Sequence, residues 1–132
     1  MVIFDSSIFA DDLRTGCHSQ RIAALDELVR TSAVVLSELW RGATTQADQV
    51  FLRALERNYP IYTPTEMNWL ESGQILCRMQ HDHGFNSQKL RELHFDVLIA
   101  LTARSYGARL ITSNRTDFEL IRDYRNFKLE VW

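Results

Sequence analysis

The chain has 132 residues, 45% hydrophobic and 24% charged, with a formal net charge of -2 at pH 7. This length and composition predict one globular domain, residues 1–132, that buries a core without disulfides or a structural metal. The near-neutral charge excludes capture of nucleic acid by overall charge, although a basic rim around an acidic centre is compatible with it.

The cysteines and the first residues indicate the compartment. Cys17 and Cys77 lie far apart and form no CxxC pair, which is typical of a reducing compartment and gives no sign of a zinc site. The start, MVIFDSSIF, has no basic segment and carries an acid inside its short apolar run, unlike a signal peptide or a membrane span. We therefore expect a cytoplasmic protein with no membrane association.

The first third of the chain predicts strands that alternate with helices. Residues 2–4 form a short apolar strand that Asp5 follows directly. Ser19 is expected to cap a helix whose apolar face extends to Val29. Residues 33–36 are predicted to be a second buried strand.

The middle of the chain is predicted to be mostly helical. Ser37 is expected to cap a helix that opens with Glu38, and residues 46–58 have the apolar spacing of an amphipathic helix. After an extended segment at residues 59–63, Thr65 is expected to cap the longest helix, which ends near Gly84.

The last third of the chain contains Asp96 and a strand that polar residues follow. Residues 85–92 are polar and predict a loop, and Asp96 then stands at the head of an apolar helical run that stops at Gly107. Residues 108–112 predict a buried strand that polar residues follow, and residues 128–132 predict a last strand. The alternation favours an α/β fold of three layers, α/β/α, with a mostly parallel central sheet whose carboxyl edge binds ligands.

Four acids carry the candidate chemistry: Asp5, Glu38, Asp96 and Asp117. Each is expected just past a strand or in the first turn of a helix, where a single acid is usually only a cap worth less than about 1 kcal/mol. If they converge, carboxylates about 4 Å apart repel by roughly 4 kcal/mol per pair at an effective dielectric near 20. Only a cation makes such a cluster tolerable, and an all-oxygen ligand set suits Mg²⁺ or Mn²⁺ rather than zinc.

Four short motifs also occur in a recognisable order. They are an apolar strand with Asp5-Ser6, then Ser37-Glu38-Leu39, then Phe95-Asp96 before an apolar run, then Thr112-Ser113-Asn114 with Asp117-Phe118. Over essentially the whole chain they resemble a PIN-domain ribonuclease, in particular the VapC-type toxin of type II toxin-antitoxin systems. The resemblance implies that the strands ending at Asp5 and Thr112 are neighbours and that the activity is Mg²⁺-dependent cleavage of RNA by a water-derived nucleophile.

The resemblance also implies residue roles and partners. Asp5, Glu38 and Asp96 correspond to the core metal-binding and catalytic acids, and Asp117 to a more variable fourth. The supporting polar residues would be Ser6, Thr112 and Asn114. The implied cofactor is Mg²⁺, with Mn²⁺ as a substitute, and the implied partners are an RNA substrate, a cognate antitoxin protein and a second copy of the chain. One departure is Ser7, which stands where the family commonly has an amide.

Other polar residues have mainly structural interpretations. Arg41 and Arg115, next to motif acids, are the best candidates for RNA contacts, whereas scattered cations are usually solvated surface. Residues 81–83, His-Asp-His, are interpreted as a helix end rather than a metal site. His94 is expected to be a packed neighbour, with a pairing to Asp96 or to RNA as the alternative.

Three functions stay open at this point. They are a toxin ribonuclease neutralised by an antitoxin, a PIN-domain RNA-processing nuclease without such a partner, and a catalytically silent binding module of the same fold. The last is disfavoured because every core acid is present. An aspartyl-phosphate enzyme at Asp5 is also disfavoured, because the second Asp it needs two residues later is Ser7 here.

Overall fold

The computed structural model describes all residues from Met1 to Trp132. The elements are β1 (Val2–Phe4), α1 (Ser6–Thr15), α2 (Ser19–Ala23), β2 (Val29–Ser32), α3 (Ala33–Gly42), α4 (Gln46–Asn58), β3 (Ile61–Tyr62), α5 (Glu66–His83), α6 (Ser87–Ser105), β4 (Arg109–Thr112), α7 (Arg115–Tyr124) and β5 (Leu129–Val131). All neighbouring strands pair in parallel, and helices flank the sheet. The prediction of a three-layer α/β/α fold around a parallel sheet is confirmed.

The strand order, β3-β2-β1-β4-β5, places β1 in the centre of the sheet. The chain first extends the sheet on one side of β1 and then returns to the other side with β4. In open parallel sheets, such a reversal opens a crevice at the carboxyl ends of the two central strands. Phe4 pairs with Ile111, and the Asp5 amide donates to the Ile111 carbonyl at 2.9 Å. The expectation that the strands ending at Asp5 and Thr112 are neighbours is therefore confirmed.

Helix α6 explains the apolar run after Asp96. This helix packs against α3, α5, α7 and β4, so its part after Asp96, residues 97–103, is enclosed on all sides. Residues 97–101 are accordingly all buried and belong to the same hydrophobic core as β1 and β4. Because α6 is enclosed, it lacks the one-sided apolar pattern of a surface helix.

Several predicted boundaries are confirmed, and they rest on local capping chemistry. Helix α4 has the predicted bounds, and Thr65 caps α5 with its hydroxyl on the Asn68 amide. Gly84 ends α5, and Gly107 follows α6, each with the positive φ that glycine adopts without strain.

The predicted strand at residues 33–36 is wrong, because these residues open helix α3. Ser32, not Ser37, is the cap: its hydroxyl accepts from the Val34 amide at 3.1 Å. A short apolar run fits a buried strand and a buried helical turn equally well, and only strand pairing separates the two. Glu38 consequently lies inside a helix rather than directly after a strand.

The helix predicted from Ser19 to Val29 is also too long. Helix α2 ends at Ala23, and Val29 instead pairs with Val2 in the sheet. The apolar residues at helical spacing were a coincidence, since Val29 is the first residue of β2.

The predicted loop at residues 85–92 is wrong as well. Asn86 caps α6, with its side-chain oxygen on the Lys89 amide at 2.9 Å, so the polar segment is helical. Asp96 therefore lies in the middle of α6, and α6 rather than α5 is the longest helix. This error affects the site, because a loop at residues 85–92 would place none of those residues on the same helix as Asp96.

Two further observations complete the fold. None of the helices combines the length and apolar composition needed to cross a bilayer. Cys17 and Cys77 are both exposed and both free.

Candidate active site

Asp5 lies at the point where β1 ends and α1 begins. Its Oδ2 atom accepts hydrogen bonds from the Ser7 hydroxyl at 2.6 Å and the Thr112 hydroxyl at 2.9 Å, and from the Ser7 amide at 3.4 Å. Its Oδ1 atom is buried and has no hydrogen-bond partner. One oxygen of this carboxylate is thus fixed, while the other is desolvated and unpaired.

Ser7 and Thr112 join the ends of β1 and β4. Their hydroxyls lie 3.2 Å apart, the Ser113 amide donates to Ser7 Oγ at 3.1 Å, and the Asn114 amide donates to Thr112 Oγ1 at 2.9 Å. Thr112 belongs to the predicted supporting set, whereas Ser7 entered only as a departure from the family pattern. The structure shows that the Ser7 hydroxyl is a direct partner of Asp5.

Glu38 faces Asp5 from the interior of α3. Its Oε2 atom accepts from the Ser6 hydroxyl at 2.7 Å, so Ser6 orients this acid rather than Asp5. Burial and the charge of Asp5 raise the Glu38 pKa, against the opposing effects of Ser6 and of the nearby Arg41 guanidinium.

Asp96 is the most perturbed acid. Burial, followed by the charges of Asp5, Glu38 and Asp117, raises the pKa of Asp96 to about 9. Only the charge of Lys89 opposes this shift, and no hydrogen bond to the carboxylate does so. A carboxyl with this pKa carries a proton at neutral pH unless a cation takes its place.

These three acids line one cleft of about 450 Å³. The other lining residues are Ser6, Ser7, Ala10, Leu13, Arg14, Leu39, Gly42, Ala43, Asp48, Leu52 and Asn114. Helices α1, α3 and α4 supply the apolar part of the wall, which the sequence analysis did not anticipate. The cleft therefore has acids at one end and an apolar wall beside them.

Asp117 is near this cluster but differs from the other acids. It lies in the first turn of α7, as predicted, and its charge contributes to the raised pKa of Asp96. Its Oδ1 accepts from Lys89 Nζ at 2.9 Å and its Oδ2 from Asn114 Nδ2 at 3.1 Å. Asp117 does not line the cleft. The sequence analysis gave Lys89 no role beyond that of a scattered surface cation.

The two predicted RNA-contacting arginines have different surroundings. The Arg41 guanidinium lies over the Phe95 ring, 5.1 Å from its centroid, in a second groove beside the acids that Arg91 also lines. Arg115 forms an ion pair with Glu119 at 3.0 Å and does not line the cleft. Arg41 therefore remains the better placed of the two.

The histidines have the structural environments expected of them. His94 is partly buried, with Nε2 at 3.0 Å from the Ser72 hydroxyl and its ring against Trp69, and burial lowers its pKa. His81 and His83 lie in the last turn of α5, the helix end predicted for them.

The donor set of the cleft fits a hard divalent cation. Asp5 Oδ1 is buried without a partner, Asp96 is desolvated among other acids, and all candidate ligand atoms are oxygens. No three His, Cys, Asp or Glu side chains are, however, arranged as a ready set of metal ligands. The acids are thus close enough to raise one another's pKa, and side-chain rotation would have to bring their oxygens onto an ion.

Comparison of the sequence with known families gives one match. A family model of the PIN domain matches residues 2–123. Comparison with curated proteins finds no significant match.

The fold is similar to that of several solved structures. VapBC2 from Rickettsia felis, bound to a DNA fragment from its promoter, has a TM-score of 0.73 at 21% identity, over 100% of this chain and 99% of that chain. DNA-bound VapBC from Salmonella typhimurium has a TM-score of 0.72 at 20% identity, over 100% and 99%. VapBC-1 from nontypeable Haemophilus influenzae has a TM-score of 0.72 at 21% identity, over 100% and 98%. At these identities the likeness establishes a shared fold.

Proposed function

Because this chain belongs to the PIN domain family, we propose that it is a divalent-metal-dependent endoribonuclease and the toxin of a toxin-antitoxin pair. The proposed reaction is hydrolysis: a water molecule attacks phosphorus in line, and the P–O bond to the leaving oxygen breaks. Its substrate would be cellular RNA, and its proposed compartment is the cytoplasm.

The observation that carries this proposal is the state of the acids in the cleft. Asp5, Glu38 and Asp96 come from three separate elements, and burial together with mutual repulsion raises the pKa of Glu38 and Asp96. Asp5 also caps helix α1, but none of the three acids forms an ion pair with Lys or Arg that would neutralise its charge. Strongly perturbed acids in a cleft are typical of a functional site, and a cation of charge two would relieve their repulsion.

Each acid has a proposed task. Asp5, through its unpaired Oδ1, and Asp96 would hold Mg²⁺ or Mn²⁺, with Glu38 in contact directly or through water. The ion would stabilise the negative charge that develops on the phosphate and would make a water molecule more acidic. Asp117 would be the fourth acid, at the rim of the group.

The neighbouring polar residues would position these acids. Ser7 and Thr112 hold Asp5 by its other oxygen, which leaves Oδ1 directed away from them, and Ser6 orients Glu38. Asn114 connects the strand end of β4 to Asp117. Among the hydroxyls of the cleft, Ser6 and Ser7 contact acids and neither has a neighbouring histidine base, which agrees with direct attack by water.

A cleavage assay tests the proposal. Purified protein should cleave cellular RNA in the presence of Mg²⁺, and EDTA should stop the cleavage. Asp5→Asn should lower the rate by at least about 100-fold, because loss of a group that only supports a ligand already costs about 10–100-fold. Asp26→Asn, the same change at an exposed aspartate outside the cleft, is the matched control and should cleave at the wild-type rate. Undiminished, EDTA-resistant cleavage by Asp5→Asn would refute the metal mechanism.

The toxin assignment rests on the similarity to VapBC structures and has its own test. VapBC2 and its relatives are similar in fold along the full length of this chain. Expression of the chain alone should arrest growth, and co-expression of a small neighbouring open reading frame should relieve the arrest. A housekeeping RNA-processing nuclease, the alternative, would cause no arrest that such a partner relieves.

We also propose a homodimer, for which helix α5 provides the main support. Its residues Met67 and Trp69 are 70% and 50% exposed. Trp40 and Phe51, two other large aromatic residues near the surface, support a dimer less, because Trp40 donates to Glu56 and Phe51 packs on Phe9.

Light scattering at micromolar concentration should give the mass of a dimer, and Met67→Lys should shift it toward the monomer. Val50→Lys, an equally apolar exposed site on α4, should not change the mass. A strict monomer for the wild-type protein would exclude the dimer.

A further inference from the structure

The interaction between Lys89 and Asp117 separates the fourth acid from the other three. Both oxygens of Asp117 already have donors, Lys89 Nζ at 2.9 Å and Asn114 Nδ2 at 3.1 Å. In contrast, Asp5 Oδ1 is buried without any partner, and only one oxygen of Glu38 accepts a hydrogen bond. Three acids therefore have oxygens available for an ion, and one does not.

The position of Lys89 on α6 explains how it reaches Asp117. Lys89 lies seven residues before Asp96, which is two helical turns, so the two side chains leave the same face of the helix. Helix α7 packs against α6, and Asp117 lies in the first turn of α7. The ammonium group thus contacts the fourth acid, and its charge also opposes the rise in the pKa of Asp96.

The lining of the cleft separates the same three acids from the fourth. Asp5, Glu38 and Asp96 line it, whereas Asp117 and Lys89 do not. The Asp117 side chain is only 17% exposed, so its negative charge needs a counter-charge within the protein. Lys89 supplies that charge without any metal.

We infer that Lys89 is a built-in cation that takes the place of a second metal ion, so that the site binds one divalent ion through Asp5, Glu38 and Asp96. This inference rests on the proposed function, since it concerns the number of ions that the nuclease site holds. Lys89 is a positioning residue: it keeps Asp117 out of the ligand set and holds α7 against α6.

The number of bound ions tests the inference directly. Isothermal titration calorimetry with Mn²⁺, which prefers the same oxygen ligands as Mg²⁺, should give one ion per wild-type chain. Lys89→Met removes the ammonium, frees Asp117 and should raise the number to two. Lys89→Arg, which preserves the charge, should keep it at one. Electron paramagnetic resonance should show isolated Mn²⁺ in the wild type and coupled Mn²⁺ pairs in Lys89→Met.

Two further variants control for general charge effects. Lys128 is the only other lysine; it is exposed and forms no ion pair, so Lys128→Met changes the net charge equally and should still bind one ion. In Lys89→Met, a further Asp117→Asn change should abolish the second ion.

The outcomes separate this inference from the proposed function. Two ions in the wild type, or one ion in Lys89→Met, would overturn the role of Lys89 while the nuclease site stands. Absence of Mn²⁺ binding in every variant would overturn the metal-dependent function and this inference together.

Discussion

The acidic side chains at the two ends of the central sheet have opposite electrostatic surroundings. At the amino ends of the strands, Glu27 pairs with the Met1 amino group at 3.2 Å and with Arg109, and Arg109 Nε lies 2.9 Å from Glu130. The hydrogen bond from the Met1 amine, together with Arg109, lowers the pKa of Glu27. At the carboxyl ends, Asp117 pairs with Lys89, but Asp5, Glu38 and Asp96 form no ion pair, and the pKa values of Glu38 and Asp96 are raised.

This contrast teaches which acids serve the fold. A paired acid at the surface adds modestly to stability or leaves it unchanged. Acids that repel one another in a cleft lower the free energy of unfolding. Unfavourable interactions of this kind, in a fold whose other interactions are favourable, are typical of functional sites. The same sheet thus carries an ion-pair network at one end and a candidate site of mutually repelling acids at the other.

The largest expected effect is stabilisation of the carboxyl end by metal. At free Mg²⁺ about 100 times its dissociation constant, the gain is roughly 2.7 kcal/mol, because the ion binds only the folded chain. For a domain of this size the melting temperature should rise by about 5–10 °C. Thermal melts of wild type, Asp96→Asn and Glu130→Gln with and without MgCl₂ at pH 7.5 measure the effect.

The shift should disappear in Asp96→Asn and persist in Glu130→Gln, which alters the opposite end of the sheet. Equal melting temperatures of the wild type with and without several millimolar MgCl₂ would contradict a shared metal site for the acids.

The second effect is a dependence on pH that only the carboxyl end produces. The pKa of Asp96 is about 9 in the folded state against an ordinary value of 3.8, so between these values the folded chain binds the extra proton and stability falls as pH rises. One such group contributes at most about 1.4 kcal/mol per pH unit. In EDTA, urea unfolding at pH 6 and pH 8 should show a larger loss for wild type than for Asp96→Asn.

The amino end should behave differently in the same experiment. Glu27 has a lowered pKa, so its contribution is complete above its ordinary pKa and is lost only as pH falls through the folded value. Glu27→Gln should therefore keep the wild-type slope between pH 6 and pH 8. If the free energy of unfolding of Asp96→Asn fell between pH 6 and pH 8 as steeply as that of wild type, a group other than Asp96 would cause the pH dependence. In MgCl₂ the stabilisation should shrink from pH 7.5 to pH 5.5, because protons compete with the ion for the acids.

The smallest effect is expected from the ion pairs at the amino end. Arg109→Gln removes the partner that Glu27 and Glu130 share, and because these side chains are partly exposed, solvent already screens much of the attraction. The melting temperature should fall by less than the Mg²⁺ shift, and RNA cleavage should be unchanged. Loss of cleavage in a folded Arg109→Gln protein would show that the two ends of the sheet are coupled.

Sequence patterns predicted elements whose signals are local. The strand at residues 2–4 lies beside polar turn residues, and residues 46–58 repeat apolar side chains at helical spacing. Thr65 and Gly84 bound α5 through hydrogen bonds and backbone angles within a few residues of each end. Such signals depend on the residues themselves, so they can be identified without knowledge of the rest of the fold.

Other features depended on partners far along the chain. Residues 33–36 are apolar in either a strand or a helix, and only the pairing of β2 with β1 and β3 determined that the strand ends at Ser32. The four acids and the candidate ligand chemistry were named from the sequence, but Glu38 and Asp96 were placed at element starts rather than inside helices.

By itself the sequence determined the fold class and named the four acids, because periodicity and short motifs encode them, and the family resemblance of those motifs implied that the strands ending at Asp5 and Thr112 are neighbours. Only the tertiary structure decided how each acid is compensated. Thr112 donates to Asp5 from 107 residues away, and Lys89 reaches Asp117 from another helix, 28 residues away. A charge is stabilised by whatever lies within a few ångströms in space, and chain distance does not determine that neighbourhood.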